Sequence, residues 1–209
     1  MSKEITQSKI MSALDWGYEK AVNGVPGLDS AQELAESYMR KGNCKIEQAN
    51  SLIRWQNTKA GTSGFLSGLG GIITMPVTLP ANITSVLYVQ IRMIAAIAHM
   101  GGHDVQDDQV KSMVYVCLTG NSAKDIMKGA GIAIGTKLTT NAIKSISGKT
   151  ITAINQKIGF RLVTKFGEKG VINLGKAVPL VGGLIGGSFD SITTNTIGNV
   201  ARDTFIVLD

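Results

Sequence analysis

Cysteine is nearly absent from the chain, which has two in 209 residues, Cys44 and Cys117. They lie far apart and lack the close spacing of zinc ligands, so the sequence excludes a disulfide framework and a cysteine-based metal site. The first 20 residues carry charges of both signs, unlike a secretory signal, which has a positive end followed by an apolar core. We therefore expect a reducing, cytoplasmic location, with peripheral contact at the inner membrane as one option.

Histidine is equally scarce, and the two histidines do not indicate catalysis. His99 and His103 are four residues apart, but two glycines separate them and no carboxylate other than Asp104 stands nearby. A Gly-x-Ser-x-Gly turn is missing, and the glycines at 129, 131 and 135 lack the preceding strand that a dinucleotide-binding loop requires. The sequence therefore predicts no catalytic residues, no metal and no cofactor, and it favours a protein that is not an enzyme.

Aromatic and charged residues are also few. Aromatic side chains make up 5% of the chain and charged ones 17%, against about 25% charged residues in ordinary globular domains. Few aromatic side chains are available for stacking on bases and no known reader motif is present, which argues against nucleic acid as a partner. The hydrophobic content of 44% and the 25 glycines instead favour helices that pack closely together.

The longest uncharged stretch runs from residue 60 to residue 91, and a run of this length must be hidden from water. Pro76 and Pro80 disfavour one continuous helix, because proline lacks a backbone donor and restricts the residue before it. We predict a helical hairpin with residues 76–80 as its turn and arms of about 24 Å, shorter than the ~30 Å of bilayer hydrocarbon. A hairpin buried in the protein is the preferred interpretation, and one that dips into the membrane is the alternative.

Elsewhere the apolar residues recur at helical spacing, and no segment alternates as a strand does. A capping box at Ser30 and Glu33 marks one helix start. Helices are predicted over residues 3–23, 30–41, 45–59 and 149–166, with others after the glycines at 101 and 102 and at the C-terminal end. The predicted fold class is all-α, a single-domain helical bundle with central glycine-rich apolar helical hairpins.

Positive charge is concentrated in the C-terminal half. Residues 121–180 contain ten basic and two acidic residues, a net charge of +8 in a chain whose total is +6. Within 149–166, the isoleucines and one leucine form an apolar face, while lysine and arginine recur every four residues beside it. Such a surface attracts anionic lipid or an acidic partner. The predicted membrane-binding or lipid-binding residues are Lys149, Lys157, Arg161, Lys165 and Lys169.

Two glycine-rich blocks carry Gly-x-x-x-Gly spacings, which mark faces where another helix can approach closely. The alternatives are packing within the protein, or membrane insertion or self-association. A further pair of this spacing is formed by Gly131 and Gly135. The residues assigned to helix packing or insertion are Gly64, Gly68, Gly71, Gly182, Gly183, Gly186 and Gly187.

Arg92 is the single charge in a long apolar segment, and a buried arginine requires an acceptor. Asp190, in the second glycine-rich block, is a candidate partner. We predict a buried ion pair between Arg92 and Asp190 with a structural role, because no nucleophile or base accompanies it.

Two sets of motifs resemble the EcsC family of bacterial proteins. The first is Gly70-Gly71, Pro80-Ala-Asn-Ile-Thr, Arg92-Met-Ile-Ala-Ala-Ile-Ala and Gly101-Gly102-His103-Asp104, and the second is Lys165-Phe-Gly-Glu-Lys-Gly170, Lys176-Ala-Val-Pro179 and Gly186-Gly187-Ser-Phe-Asp190. The resemblance covers residues 50–205 and implies a helical fold without known catalytic residues to transfer. We divide the chain into N-terminal helices over residues 1–44 and an EcsC-like helical domain over residues 45–209.

The leading functional hypothesis is a non-enzymatic, membrane-associated helical protein. Its basic C-terminal half would bind an anionic lipid surface or a membrane protein partner. One alternative is a soluble interaction module that assembles with itself, using the small-residue faces as subunit contacts. The other is an enzyme or carrier that holds a lipid-like ligand between helices and therefore needs an apolar pocket with convergent polar groups.

Overall fold

The structure is a computed structural model that describes residues 5–60, 79, 81–132, 138–166 and 184–207, with side chains described for 5–58, 79, 83–132, 138–166 and 193–207. Helices make up most of these ranges, and the part of the chain described contains no β-strand. The helices are α1 (Gln7–Asn23), α2 (Ala31–Met39), α3 (Lys45–Ala60), α4 (Ala81–Met100), α5 (Asp108–Leu118), α6 (Ala123–Lys128), α7 (Thr140–Lys144), α8 (Gly148–Phe166) and α9 (Leu184–Phe205). The prediction of an all-α bundle is confirmed.

Helix α4 is the centre of the bundle. It contacts α1, α2, α3, α5 and α9. Every residue from 91 to 98 is buried, so this helix is apolar around its whole circumference, as expected of a helix enclosed by others. Its segment Ile83–Met100 is long and apolar enough to cross a membrane, and 83% of that segment is buried inside the protein. A core helix of a bundle has the same properties.

The second arm of the predicted hairpin is a helix that begins directly after Pro80. Its residues Leu87, Tyr88 and Ile91 are buried in the core. The first arm and most of the proline turn lie outside the described residues, so the hairpin itself stays a prediction.

The two N-terminal helices pack onto the same core. Ser30 is the N-cap of α2, with its hydroxyl accepting from the Glu33 N–H at 3.2 Å while the Glu33 carboxylate accepts from the Ser30 N–H at 2.8 Å. The predicted capping box is therefore confirmed. Helix α1 starts later than predicted, because the Thr6 side chain caps it. The division at residue 44 stays a prediction, although α1 and α2 both contact α4.

One of the predicted close-packing glycines was assigned wrongly. Gly131 lies beyond the end of α6 with a φ of 78°, and a Cβ added there would meet no atom of the described residues within 4 Å. It ends a helix through a conformation that disfavours other residues, and brings no helices together. A close approach of two helices occurs instead at Gly198 of α9, where an added Cβ would lie 2.7 Å from Ile53 Cγ1 of α3. Gly135 lies outside the described residues.

Helix α4 ends at a corner where the chain packs against the end of α9. A ring nitrogen of His103, Nε2, lies 3.1 Å from the carbonyl oxygen of Phe205, and the two rings pack edge to face with centroids 5.2 Å apart. His103 is buried, and its Nδ1 has no hydrogen-bond partner among the described residues. The Nε2 atom of His103 is therefore held by the backbone at the end of α9.

Burial gives His103 a defined pH dependence. Desolvation lowers the pKa of the imidazole, so the folded protein holds the neutral ring more firmly than the unfolded chain does. The contribution of His103 to stability is complete when the pH is above about 6.5, the ordinary pKa of histidine in an unfolded chain. It is lost as the pH falls from there towards the lower pKa of the folded protein. We expect the melting temperature to fall more between pH 7.5 and pH 5.5 in the wild type than in His103→Phe. An equal fall in both would contradict this assignment.

Candidate functional site

The candidate site is built on α8, whose two faces differ sharply. The Ser147 hydroxyl accepts from the Thr150 N–H at 3.2 Å and so caps the first turn. Ile154, Ile158 and Leu162 are fully buried at helical spacing. The opposite face is exposed and carries the cations. The apolar pattern therefore fixes which side of α8 points to solvent.

Helix α8 is held in place by α1 and α5. The Gln7 side chain donates from Nε2 to the Gln156 carbonyl at 3.1 Å. At Gly159 the helices come so close that an added Cβ would lie 2.6 Å from Gln7 Cγ. The exposed face of α8 is consequently presented by a packed helix rather than by a loop.

A short helix, α6, lies beside α8. A 3₁₀ turn over Gly120–Ser122 leads into it, with Gly120 at a φ of 60°. The Lys157 ammonium of α8 donates to the Gly129 carbonyl at 2.6 Å, just past the last residue of α6. This bond between a cation and a terminal carbonyl joins the two helices, and it suits the negative end of the helix dipole.

An open groove of about 460 Å³ runs between α6 and α8. We call it the basic groove. It is lined by Ser122, Asp125, Ile126, Gln156, Lys157, Phe160 and Arg161. Its cations come from one turn of α8, and Lys124 and Lys128 are exposed on α6. Asp125 is the one acidic residue in the lining, and no ion pair joins it to a cation in the part of the chain described.

Phe160 is the unusual residue of the groove. It is 71% exposed and stands between the buried Gly159 and the exposed Arg161. A large aromatic ring in water is unfavourable by roughly 1.5–3 kcal/mol relative to full burial. Arg161, next to it, makes no ion pair with any described residue. The groove thus offers, side by side, an apolar ring and a cation that no described residue pairs with.

The predicted basic residues are only partly brought together. Lys157 and Arg161 line the groove, whereas Lys149 is exposed near the start of α8, roughly two and a half turns from the centre of the groove. Lys165 is half-buried, with its ammonium 5.3 Å from the centre of the Phe166 ring. Lys169 lies outside the described residues.

Most of the glycines that were assigned to helix packing or insertion fall where the structure gives no description. Gly64, Gly68, Gly71, Gly182 and Gly183 lie outside the described residues. Gly186 and Gly187 fall within α9, but their surroundings are not described. Their role in packing or insertion stays a prediction.

Arg92 is buried as predicted, at 4% exposure. Its guanidinium donates to the Asp29 carbonyl at 3.2 Å and lies 5.7 Å from the centre of the Tyr88 ring. The side chain of Asp190 lies outside the described residues, so the ion pair itself stays a prediction. Sequence reasoning missed the Asp29 contact, because it joins residues 63 positions apart.

The chemistry available in the groove is recognition of an anion next to an apolar surface. Within the described ranges, no three His, Cys, Asp or Glu residues come together as metal ligands. Of the two cysteines, Cys44 is exposed and Cys117 is buried. Burial raises the pKa of the Cys117 thiol to about 12, which keeps it protonated and unreactive at neutral pH.

Sequence reasoning found the cations of the groove but overlooked Phe160. The signal was present, since Phe160 falls on the polar face of a helix whose apolar face begins at Ile151 and Ile154. The contribution of α6 was not foreseeable, because nothing local links Asp125 to a helix 30 residues further along.

Comparison with known proteins supports the resemblance noted in the sequence. The EcsC protein family matches residues 4–207 of this chain. No curated protein and no solved structure matches it. The family match extends beyond the motifs first recognised and includes α1 and α2. Because it spans nearly all of the 209 residues, the chain belongs to the EcsC family.

Proposed function

We propose that this protein is a non-enzymatic, peripheral membrane protein that binds anionic lipid surfaces through the basic groove and the exposed face of α8. The observation that carries the proposal is the exposure of Phe160 beside Lys157 and Arg161 on a firmly packed helix. The membrane in question is the inner face of the cytoplasmic membrane, where anionic headgroups are abundant.

Electrostatic attraction supplies the first part of the binding energy. Each basic residue close to an anionic leaflet contributes about 1 kcal/mol, and the attraction falls off within a Debye length. Five cations on α6 and α8 are exposed, namely Lys124, Lys128, Lys149, Lys157 and Arg161. Their combined contribution of several kcal/mol is sufficient for reversible attachment.

The aromatic ring supplies the second part. A single weak anchor gives only marginal attachment, and stable attachment to a membrane usually combines two signals. Insertion of the Phe160 ring among lipid chains removes apolar surface from water, while the neighbouring cations stay at the headgroups. In this mode the core helix α4 stays within the bundle, and no segment has to unfold.

Flotation with vesicles tests the proposal. The protein should float with vesicles made of equal parts of phosphatidylcholine and phosphatidylglycerol, and it should stay at the bottom with phosphatidylcholine alone. Raising the salt to about 1 M, where the Debye length is ~3 Å, should release it. Equal recovery with both vesicles at low salt would contradict the proposal. Release by salt also separates surface attachment from insertion of an apolar hairpin, which salt would not reverse.

A further inference from the structure

A second cavity, of about 660 Å³, lies between α2, α3 and α4, away from the residues of the basic groove. Its wall includes Tyr38 and Lys41 near the end of α2, Trp55 and Gln56 of α3, and Arg92 of α4. Its volume falls within the range of about 300–1,000 Å³ that is typical of sites for small molecules.

Arg92 is the deepest charge in this wall. One terminal nitrogen donates to the Asp29 carbonyl, but Nε has no acceptor among the described residues. Arg92 is 4% exposed, and among the described residues its neighbours are a neutral carbonyl and the Tyr88 side chain, neither of which carries a negative charge; leaving a buried charge unpaired is costly. The wall of the cavity therefore contains a cation with one covered donor, Nε, that has no acceptor among the described residues.

Gln56 provides an unused acceptor in the same wall. It is 1% exposed, and its Oε1 receives no hydrogen bond in the part of the chain described. Because an unsatisfied buried polar group is unfavourable, Gln56 requires a donor just as Arg92 requires an acceptor. A matching ligand thus carries both an anionic oxygen and a hydroxyl or similar donor.

Residues of the same wall that lie nearer the solvent add a second cation and an apolar surface. The Lys41 ammonium is exposed and lies 5.6 Å from the centre of the Tyr38 ring. Trp55, 51% exposed, presents a flat apolar surface. Asp29 is exposed and opposes the cations with one negative charge, which leaves the lining with a net charge of +1.

We propose that this cavity binds a small organic phosphate that carries a hydroxyl group, such as a glycerol phosphate unit. A phosphoryl oxygen accepts from the Arg92 guanidinium and from Lys41, since guanidinium and phosphate form strong charge-assisted hydrogen bonds. The hydroxyl donates to Gln56 Oε1, and the carbon skeleton lies against Trp55. Arg92 Nε and Gln56 Oε1 are both covered in the free protein, so their side chains turn towards the cavity when the ligand binds. The same unit occurs free and as the headgroup of phosphatidylglycerol, and the two sources are separated below.

Trp55 fluorescence measures binding directly in a protein in which Trp16 is replaced by phenylalanine. Glycerol 3-phosphate should change the emission saturably and raise the melting temperature, whereas glycerol should do neither. If short-chain dihexanoyl phosphatidylglycerol and glycerol 3-phosphate both give a saturable change, the cavity recognises the phosphate group that they share. If only the lipid gives a saturable change, the ligand of the cavity is the lipid headgroup. No saturable change with either probe up to about 10 mM would overturn the proposal.

Three variants connect the signal to the named groups. Arg92→Met should weaken glycerol 3-phosphate binding about 10- to 100-fold, the range expected for a hydrogen bond to a charged partner. Arg92→Met leaves no charge of a described residue unpaired, and the melting temperature of the free variant serves as the folding control. Lys41→Gln, at the exposed mouth, should weaken binding no more than about fivefold. Gln56→Leu should remove the preference for glycerol 3-phosphate over methyl phosphate.

Asp190→Asn separates ligand binding from an internal ion pair. If a ligand supplies the negative charge that pairs with Arg92, the wild type and Asp190→Asn should both bind glycerol 3-phosphate, with affinities within a few-fold of each other. Binding by Asp190→Asn alone would mean that Asp190 already neutralises Arg92 in the wild type, and this result would overturn the proposal.

Discussion

Replacing Lys157 and Arg161 by glutamate is expected to lower the affinity for phosphatidylglycerol-containing vesicles at least about 30-fold. Each of the two cations contributes about 1 kcal/mol near an anionic leaflet, and about 2 kcal/mol corresponds to a factor of roughly 30. The introduced carboxylates are also repelled by the anionic lipids, which lowers the affinity further. Sedimentation of the protein with vesicles of graded phosphatidylglycerol content measures the change. The double substitution lowers the net charge of the protein from +6 by four units.

A matched control separates the groove from the total charge. Arg40→Glu together with Lys45→Glu changes the net charge equally at two exposed positions near the α2–α3 connection. This control should retain most of the affinity. Equal losses in the two double variants would show that attraction depends on overall charge alone, and the assignment of a binding face to α8 would then be wrong.

Replacing Gly101 by alanine is expected to lower the free energy of unfolding by about 3 kcal/mol. A Cβ at this position would overlap the Phe205 carbonyl oxygen, which is backbone and cannot move aside as a flexible side chain would. Overpacking typically costs about 1–3 kcal/mol, and a contact with backbone lies at the upper end. For a chain of this size the melting temperature should fall by about 6–12 °C. Urea denaturation followed by circular dichroism measures the free energy.

The neighbouring glycine is the control for this substitution. Gly102 has a φ of 86°, but no atom in the described part of the chain lies within 4 Å of a Cβ added there. Gly102→Ala should therefore lose about 1 kcal/mol from backbone strain alone. If Gly101→Ala were no less stable than Gly102→Ala, the close contact between the end of α4 and the end of α9 would be wrong.

Local signals in the sequence were sufficient for most helix boundaries. Residues 149–166 were predicted as a helix and α8 spans Gly148–Phe166, because the apolar period and the preceding break agree. The capping box at Ser30 located the start of α2 for the same kind of reason. In each case the determining residues lie within one or two turns of the feature that they specify.

Contacts between distant segments could not be predicted in this way. The Asp29 carbonyl that receives Arg92 and the Phe205 carbonyl beside Gly101 come from other parts of the chain. Backbone acceptors have no residue type to search for, so the sequence directed attention to a charged partner such as Asp190. The cavity beside Arg92 and Gln56 was not predictable either, because it depends on how three helices meet.

The glycines illustrate the same limit. Spacing of four residues highlighted Gly131, which ends a helix, and did not highlight Gly159 or Gly198, where helices touch. A close approach needs a glycine at the crossing point of two helices, and the crossing point is a property of the tertiary structure. Spacing within one helix does not contain that information.

The central claim is that Phe160 enters the membrane surface, and a tryptophan placed at this position reports it most directly. Phe160→Trp, in a chain whose two native tryptophans at positions 16 and 55 are replaced by phenylalanine, gives a single emitter. With phosphatidylglycerol-containing vesicles we expect its emission to shift to shorter wavelength and to be quenched by lipids with brominated acyl chains. Emission that stays at the wavelength of the protein in water, without quenching by the brominated lipids, would contradict the account.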